Sequence, residues 1–317
     1  MIDVFRSELL RARSRRLVPM TLVGGVLLIV VALVIAGANS HKPTPEQIAA
    51  ANAFNQKQFA QCMKGRFLAP GEPVPGGFSS LEDFCREATT TAATTDVGVQ
   101  LRDAPDIIEH TSTFTVLLAV VLGASLGGAD WTAGTMATLL TWEPRRIRVL
   151  LIRALVVVLV IVAATFFLQA VLLAGFRLTV ALRGSSVGAP STWLGDAFQA
   201  ILRVSAVASG IGLIAFAIAM VGRSTVAAVG ALFGYLILFE GVIAGFRPSI
   251  QDRLVVRAAG VIVGQQPIYD QNTSFTVAPG QSLPVLLGLT EATVVLIVYV
   301  LALLLVALFV FRARDVN

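Results

Sequence analysis

Six apolar runs, each long enough to cross a bilayer, recur along the chain and leave it few ways to fold. They read Leu17–Gly37, Thr113–Ala129, Val149–Phe176, Ala197–Val221, Thr225–Phe246 and Leu286–Phe311. About 20 apolar residues in a helix cross a ~30 Å hydrocarbon core. Backbone polar groups in lipid must be satisfied within the segment, so each run is expected to be a helix. A composition of 56% hydrophobic and 14% charged residues, with a mean hydropathy of +0.81, excludes a soluble domain of this length. The expected fold is an all-α polytopic membrane protein: six transmembrane helices, an N-terminal interfacial helix and a small disulfide-linked helical external domain.

The formal net charge is +5, and only three of the 24 basic residues are lysines (Lys42, Lys57 and Lys64). The arginines gather beside the apolar runs, at Arg6 to Arg16, Arg145 to Arg153, Arg223 and Arg312 to Arg314. Six crossings put all four groups, and both termini, on one side, and short-loop Lys and Arg mark that side as cytoplasmic. The expected location is the cytoplasmic membrane of the cell, multi-pass, with both termini cytoplasmic. The basic residues thus read as topology, and with no interleaved aromatic pattern no nucleic-acid partner is expected.

Residues 1–37 are expected to hold the interfacial helix and the first span. In residues 2–16 Ile2, Phe5, Leu9 and Leu10 share one helical face, with the arginines toward the headgroups. A plain basic region before a span is the alternative. Ala36-Gly37-Ala38 resembles a signal cleavage site, yet the apolar run exceeds the ~7–15 residues of such a signal, and a retained span is expected.

Residues 38–110 form an extracytoplasmic helical domain. Thr44-Pro45-Glu46-Gln47 combines an N-cap, a Pro at the first helical position and a capping-box Gln, so a helix should run to about Gly65. A Pro/Gly-rich link, Pro70 to Gly77, leads to a second helix starting at Ser79 or Ser80, and a Thr/Ala-rich stretch, 88–95, follows. Cys62 and Cys85, the only two cysteines, fall on these two helices. Outside the cell they should form one disulfide, worth roughly 3 kcal/mol in the chain-entropy model; free thiols or an incomplete metal site are the alternatives.

Residues 111–317 carry spans two to six. Within them Ser249 to Gly264 is apolar but interrupted by Asp252, Arg253 and Arg257. It is too short and too charged to cross, and a seventh crossing would put the C-terminal arginines outside. A short external helix over 249–264, lying on the surface or dipping inward, is expected.

Between spans two and three lies DWTAGTMATLLTWEPRRIRVLLIR, Asp130 to Arg153. Asp130 or Thr132 can cap a helix here, Met136, Leu139 and Leu140 share a face, and Pro144 ends it. Trp131 and Trp142 suit the membrane–water interface. At these residues the chain resembles the permease subunits of ABC transporters of the ABC-2 (type V exporter) family. The resembling elements are Asp130, Gly134-Thr135, Leu139-Leu140, Pro144, Arg145-Arg146 and Arg153, with Asp in place of the commoner Glu and Arg in place of the commoner Lys. The alternative is an ordinary loop with positive-inside arginines.

The resemblance implies a permease half that pairs with a second copy or a homologous permease and with a separate ATP-binding subunit. ATP and Mg would sit on that partner, and this chain would carry no cofactor and no metal. It implies that 130–146 is a coupling helix, with Asp130, Gly134, Thr135, Pro144, Arg145 and Arg146 meeting the ATPase. It further implies an N-terminal elbow helix and external helices between spans five and six.

Catalytic chemistry is not expected. Gly123-Ala124-Ser125-Leu126-Gly127 and Gly184-Ser185-Ser186-Val187-Gly188 match the Gly-x-Ser-x-Gly pattern, but neither has the strand–turn–helix setting or the His base of a hydrolase. No Walker loop is present. The candidate intramembrane polar groups are Gln169, Arg203, Glu240 and Glu291. Snorkelling to water explains them; a substrate path through Glu240, Glu291 and Gln169 is the functional alternative. Gly230, Gly234, Gly241 and Gly245 form a stripe at helical spacing, for packing within the chain or across a dimer axis. A membrane scaffold or sensor with a ligand-binding external domain is the competing function.

Overall fold

The computed structural model describes residues 2–42, 44–64, 80–92, 99–142, 145–186, 189, 191–243, 246, 248–269 and 285–313. Six helices among them are long and apolar enough to cross a membrane. They are α2 (Leu17–Ala38), α5 (Ala104–Thr132), α7 (Arg146–Arg183), α8 (Trp193–Gly222), α9 (Thr225–Tyr235) with its continuation, and α11 (Leu289–Ala313). The shorter helices are α1 (Ile2–Ser14), α3 (Pro45–Met63), α4 (Leu81–Ala92), α6 (Thr135–Trp142) and α10 (Val255–Gly264). The chain is an all-α membrane protein, save for two short antiparallel strands, Ile268–Tyr269 and Val285–Leu287.

The centre of the bundle is α8, with 72% of its most apolar stretch buried against 6% for α2 and 6% for α9. Small residues place it there. A Cβ on Gly123 would lie 2.0 Å from the Gly212 carbonyl oxygen, and one on Gly127 would lie 2.7 Å from that of Phe216. The backbones of α5 and α8 therefore touch, as small residues allow in lipid. The first Gly-x-Ser-x-Gly pattern is accordingly a packing motif. α2 rests on α7 in the same manner, with Leu33 filling the space where Gly175 lacks a side chain.

Helix boundaries run past the apolar runs. α5 starts at Ala104, nine residues before the expected Thr113, and α7 has 38 residues. Such a helix is about 57 Å long, well beyond the hydrocarbon thickness. Its far end is held by backbone bonds in which Leu101 donates to Ser185 O (3.1 Å) and Ser185 donates to Val99 O (3.1 Å). The sixth span, by contrast, begins at Leu289 and not Leu286, because Val285–Leu287 pairs as a strand.

The helical segment between the first two spans follows its sequence signals. Thr44 and Gln47 form the capping box of α3, and Ser80 Oγ accepts from the Asp83 N–H at the start of α4 (3.1 Å). Cys62 and Cys85 are disulfide-bonded, with Cα atoms 5.7 Å apart. α4 continues through Ala92, taking in part of the Thr/Ala-rich stretch; the Pro70 to Gly77 link lies outside the described residues. Val99 N donates to Ser40 Oγ (3.2 Å), so the two ends of the domain meet.

The stretch after span five is a 3-10 turn, Pro248–Arg253, followed by α10. Its apolar residues Val255, Ala258, Ala259, Val261 and Val263 are buried. A short helix is therefore present, packed against the bundle.

Candidate functional site

One end of the bundle gathers α1, the start of α2, the end of α5, α6, the start of α7, the α8–α9 turn and the end of α11. Asp130 lies in the last turn of α5 and is 5% exposed. An acid there opposes the negative end of the helix dipole, so it needs cationic partners. Arg15 Nη2 donates to its Oδ1 at 2.5 Å, Arg153 Nη2 donates to its Oδ2, and Thr135 Oγ1 donates to Oδ1 at 3.3 Å.

Arg153, 3% exposed on α7, is the hub. It also donates to Leu126 O (2.9 Å) and to Met136 Sδ (3.4 Å). Its Nε stands 3.6 Å from Glu8 Oε2 on α1, and Glu8 in turn pairs with Arg11 (3.2 Å). Arg15 Nη1 donates to Ser125 O at 2.8 Å. Two buried carboxylates, Glu8 and Asp130, thus face three guanidinium groups: buried Arg153, half-buried Arg15 and the more exposed Arg11. Buried charges persist only when paired and hydrogen-bonded in this way.

The same elbow reaches the other spans. Arg223, at the α8–α9 turn with φ of 52°, stacks its guanidinium 4.7 Å from the Trp131 ring centroid. Trp131 also meets Phe311 edge to face at 6.1 Å. Arg146 Nη1 donates to Phe311 O (3.4 Å), near the end of α11. The corner between α5 and α6 thus contacts α7, the α8–α9 turn, α11 and, through Arg15, the end of α1.

Several expected roles change. Asp130 does not cap the following helix, because α5 runs on to Thr132 and absorbs it; Thr132 Oγ1 instead donates back to Ala129 O (2.9 Å). The break falls at Gly134, whose φ of +69° suits a residue without Cβ, and α6 starts at Thr135. Met136 is 1% exposed and faces the bundle, with Leu139 packed beside it. Trp131 is packed between Arg223 and Phe311. Arg145 is exposed, while Pro144 and the side chains of Leu140 and Trp142 lie outside the described residues.

On α1 the face turned to the bundle is Phe5, Glu8 and Ala12, continued by Arg15 just past its end; Leu9 and Leu10 point away, at 41% and 65% exposed. Sequence reasoning missed Glu8 and Arg15. The available signal was an acid in the middle of the helix, seven residues before an arginine and flanked by basic residues.

The other polar candidates sit apart. Gln169, 2% exposed, donates from Nε2 to Thr115 Oγ1 (3.1 Å), joining α7 to α5. Glu291 is exposed in the first turn of α11. Arg203 pairs with Glu109 (2.7 Å) and donates to Val263 O (3.0 Å), tying α8, α5 and α10 together.

Glu240 lies in a π-helical segment, Leu236–Ile243, that continues α9. The i→i+5 turn sets Tyr235 against Glu240, its hydroxyl donating to Oε1 at 3.2 Å. Both cap α10: Val256 N donates to Glu240 Oε1 (2.7 Å) and Val255 N donates to Tyr235 Oη (3.1 Å). The π turn also breaks the regular spacing on which the glycine stripe was drawn. Gly230 and Gly234 have no neighbour from the rest of the chain within 4 Å of an added Cβ, Gly241 meets only the Leu236 carbonyl oxygen of its own segment at 3.6 Å, and Gly245 lies outside the described residues.

No protein-family model matches the chain, and no curated protein matches it either.

Proposed function

We propose that this chain is the transmembrane permease subunit of an ABC-2 type exporter, moving a substrate across the cytoplasmic membrane with ATP hydrolysed on a separate subunit. The observation that carries the proposal is the buried ion-pair network of Glu8, Arg15, Asp130 and Arg153, which ties a short helix and an amphipathic N-terminal helix to two long spans. Such a knot suits an elbow that must be pushed without folding up. Low exposure makes Asp130 an internal anchor, and leaves Arg145 as a residue able to meet the ATPase.

In this mechanism the ATP-binding subunits close on ATP and press on α6 and α1. Through Asp130–Arg153 the displacement passes into α7, and through Trp131–Arg223 into the turn between α8 and α9. The spans then rock between inward and outward access. Covalent chemistry stays on the partner. The largely uncovered α2 and α9 are the faces for a second permease copy, with Gly230 and Gly234 allowing close approach. Glu240, Glu291 and Gln169 remain the proposed polar groups along the substrate route; unchanged export and substrate range in Glu240→Gln would remove Glu240 from it.

A photo-reactive amino acid placed at Arg145 in the intact cell tests the contact. An ATP-binding subunit is the expected cross-linked product. Cross-links to lipid alone would favour a membrane scaffold or sensor.

A further inference from the structure

A cavity of about 560 Å³ opens beside the ion-pair network, between the C-terminal end of α1, the first residue of α2 and the last turn of α5. Three arginines line it, Arg11, Arg15 and Arg16, together with one acid, Asp130, which Arg15 and Arg153 already pair, and with Ser14, Ser125 and Thr135; its apolar wall is Leu17, Ala129 and Ala133. The charges do not cancel. Around the cavity and the adjoining network Glu8 and Asp130 stand against Arg11, Arg15, Arg16 and Arg153, two carboxylates against four cations. Arg16 is exposed and makes no ion pair among the described residues. Arg11 is 36% exposed and gives one nitrogen to Glu8. The side chain of Arg15 is 15% exposed and is oriented by Asp130 and Ser125.

We propose that this cavity binds a phosphate group, supplied by the headgroup of an anionic phospholipid. Guanidinium forks match phosphate oxygens, and a pre-oriented Arg15 has already given up its rotamer freedom to the ion pair. Arg16 directly precedes the apolar span, which sets the cations at headgroup depth, where basic residues attract anionic lipid. The apolar wall then faces the glycerol and the first acyl carbons, and the volume falls in the ~300–1,000 Å³ range of small-ligand sites. A bound phosphate would bridge α1 to the end of α5 and complete the charge balance of the elbow. The site requires only that the chain lie in a membrane and is independent of any ATPase partner.

The full chain, purified in neutral detergent, would be titrated with phosphatidylglycerol, phosphatidylcholine and inorganic phosphate, with retained lipid counted by native mass spectrometry. One phosphatidylglycerol should be retained in preference to phosphatidylcholine. Arg16→Gln should weaken that binding about fivefold, while Arg312→Gln, an exposed arginine outside the cavity, should not. Ala133→Trp, which fills the cavity without removing charge, should also abolish the preference. If inorganic phosphate alone occupies the site with the same sensitivity to Arg16, the phosphate site stands and its source is soluble. Equal retention of the two lipids with no phosphate binding, or equal effects of Arg16→Gln and Arg312→Gln, overturns it.

Discussion

Replacing Asp130 by Ala would leave Arg153 with Glu8 as its one acidic partner and Arg15 with the Ser125 carbonyl. The network goes from two carboxylates facing Arg11, Arg15 and Arg153 to Glu8 alone facing them, at a hub that is 3% exposed. Breaking one partner of a buried pair costs about 3–5 kcal/mol. Coulomb's law agrees in size: unit charges 4 Å apart are worth about 4 kcal/mol at an effective dielectric of 20. Arg153→Met should cost a similar amount, since Asp130 then keeps only Arg15 and Thr135. The double variant Asp130→Leu/Arg153→Met removes both charges, leaving Glu8 with Arg11 in place and Arg15 with the Ser125 carbonyl. It should be less destabilised than the sum of the single changes by about 1–3 kcal/mol. Denaturant unfolding in detergent, followed by tryptophan fluorescence, measures all four corners of the cycle. An Asp130→Ala variant within about 0.5 kcal/mol of wild type, the size of an ordinary surface change, would refute the buried-hub account, as would strictly additive effects.

Three other outcomes follow from the packing. Cys62→Ser/Cys85→Ser should destabilise the α3–α4 pair by roughly 3 kcal/mol, visible as faster hydrogen exchange in α3 and α4 with the spans unaffected. Gly123→Val should disrupt the α5–α8 contact by at least the ~1–3 kcal/mol typical of overpacking, lowering the unfolding midpoint, because its Cβ would meet a backbone carbonyl and not a side chain that can turn away. Glu240→Ala should cost about 0.5–2 kcal/mol by removing a cap, read as increased exchange confined to the first turn of α10.

The membrane spans were legible because each is one long apolar run. The capping box at Thr44 and Gln47 and the cysteine pair were legible because their signals are local or unique in the chain. Boundaries were not: α5 and α7 extend through Ile107 and Arg183, where tertiary packing and a bridge between residues 100 and 185 hold helix that hydropathy would end. The π segment was hidden as well, since its cause lies in α10, whose first N–H groups require Tyr235 and Glu240 at i,i+5 spacing. In the candidate site, Asp130 and Arg153 stood out by their charge at the edges of apolar runs. Glu8 and Arg15 did not, because a basic amphipathic helix looks the same whether its arginines meet headgroups or a buried carboxylate more than a hundred residues away.

The central claim is that the elbow of α1, α6 and Arg153 receives force from an ATPase. Its most direct test is co-purification of the chain, in mild detergent, with the ATP-binding subunits of its own cell, comparing wild type with Arg145→Glu/Arg146→Glu. The account predicts an active ATPase bound to the wild type and lost or uncoupled in the variant. A folded wild type that binds no ATPase, or a variant that holds and drives it as well as the wild type does, would contradict it.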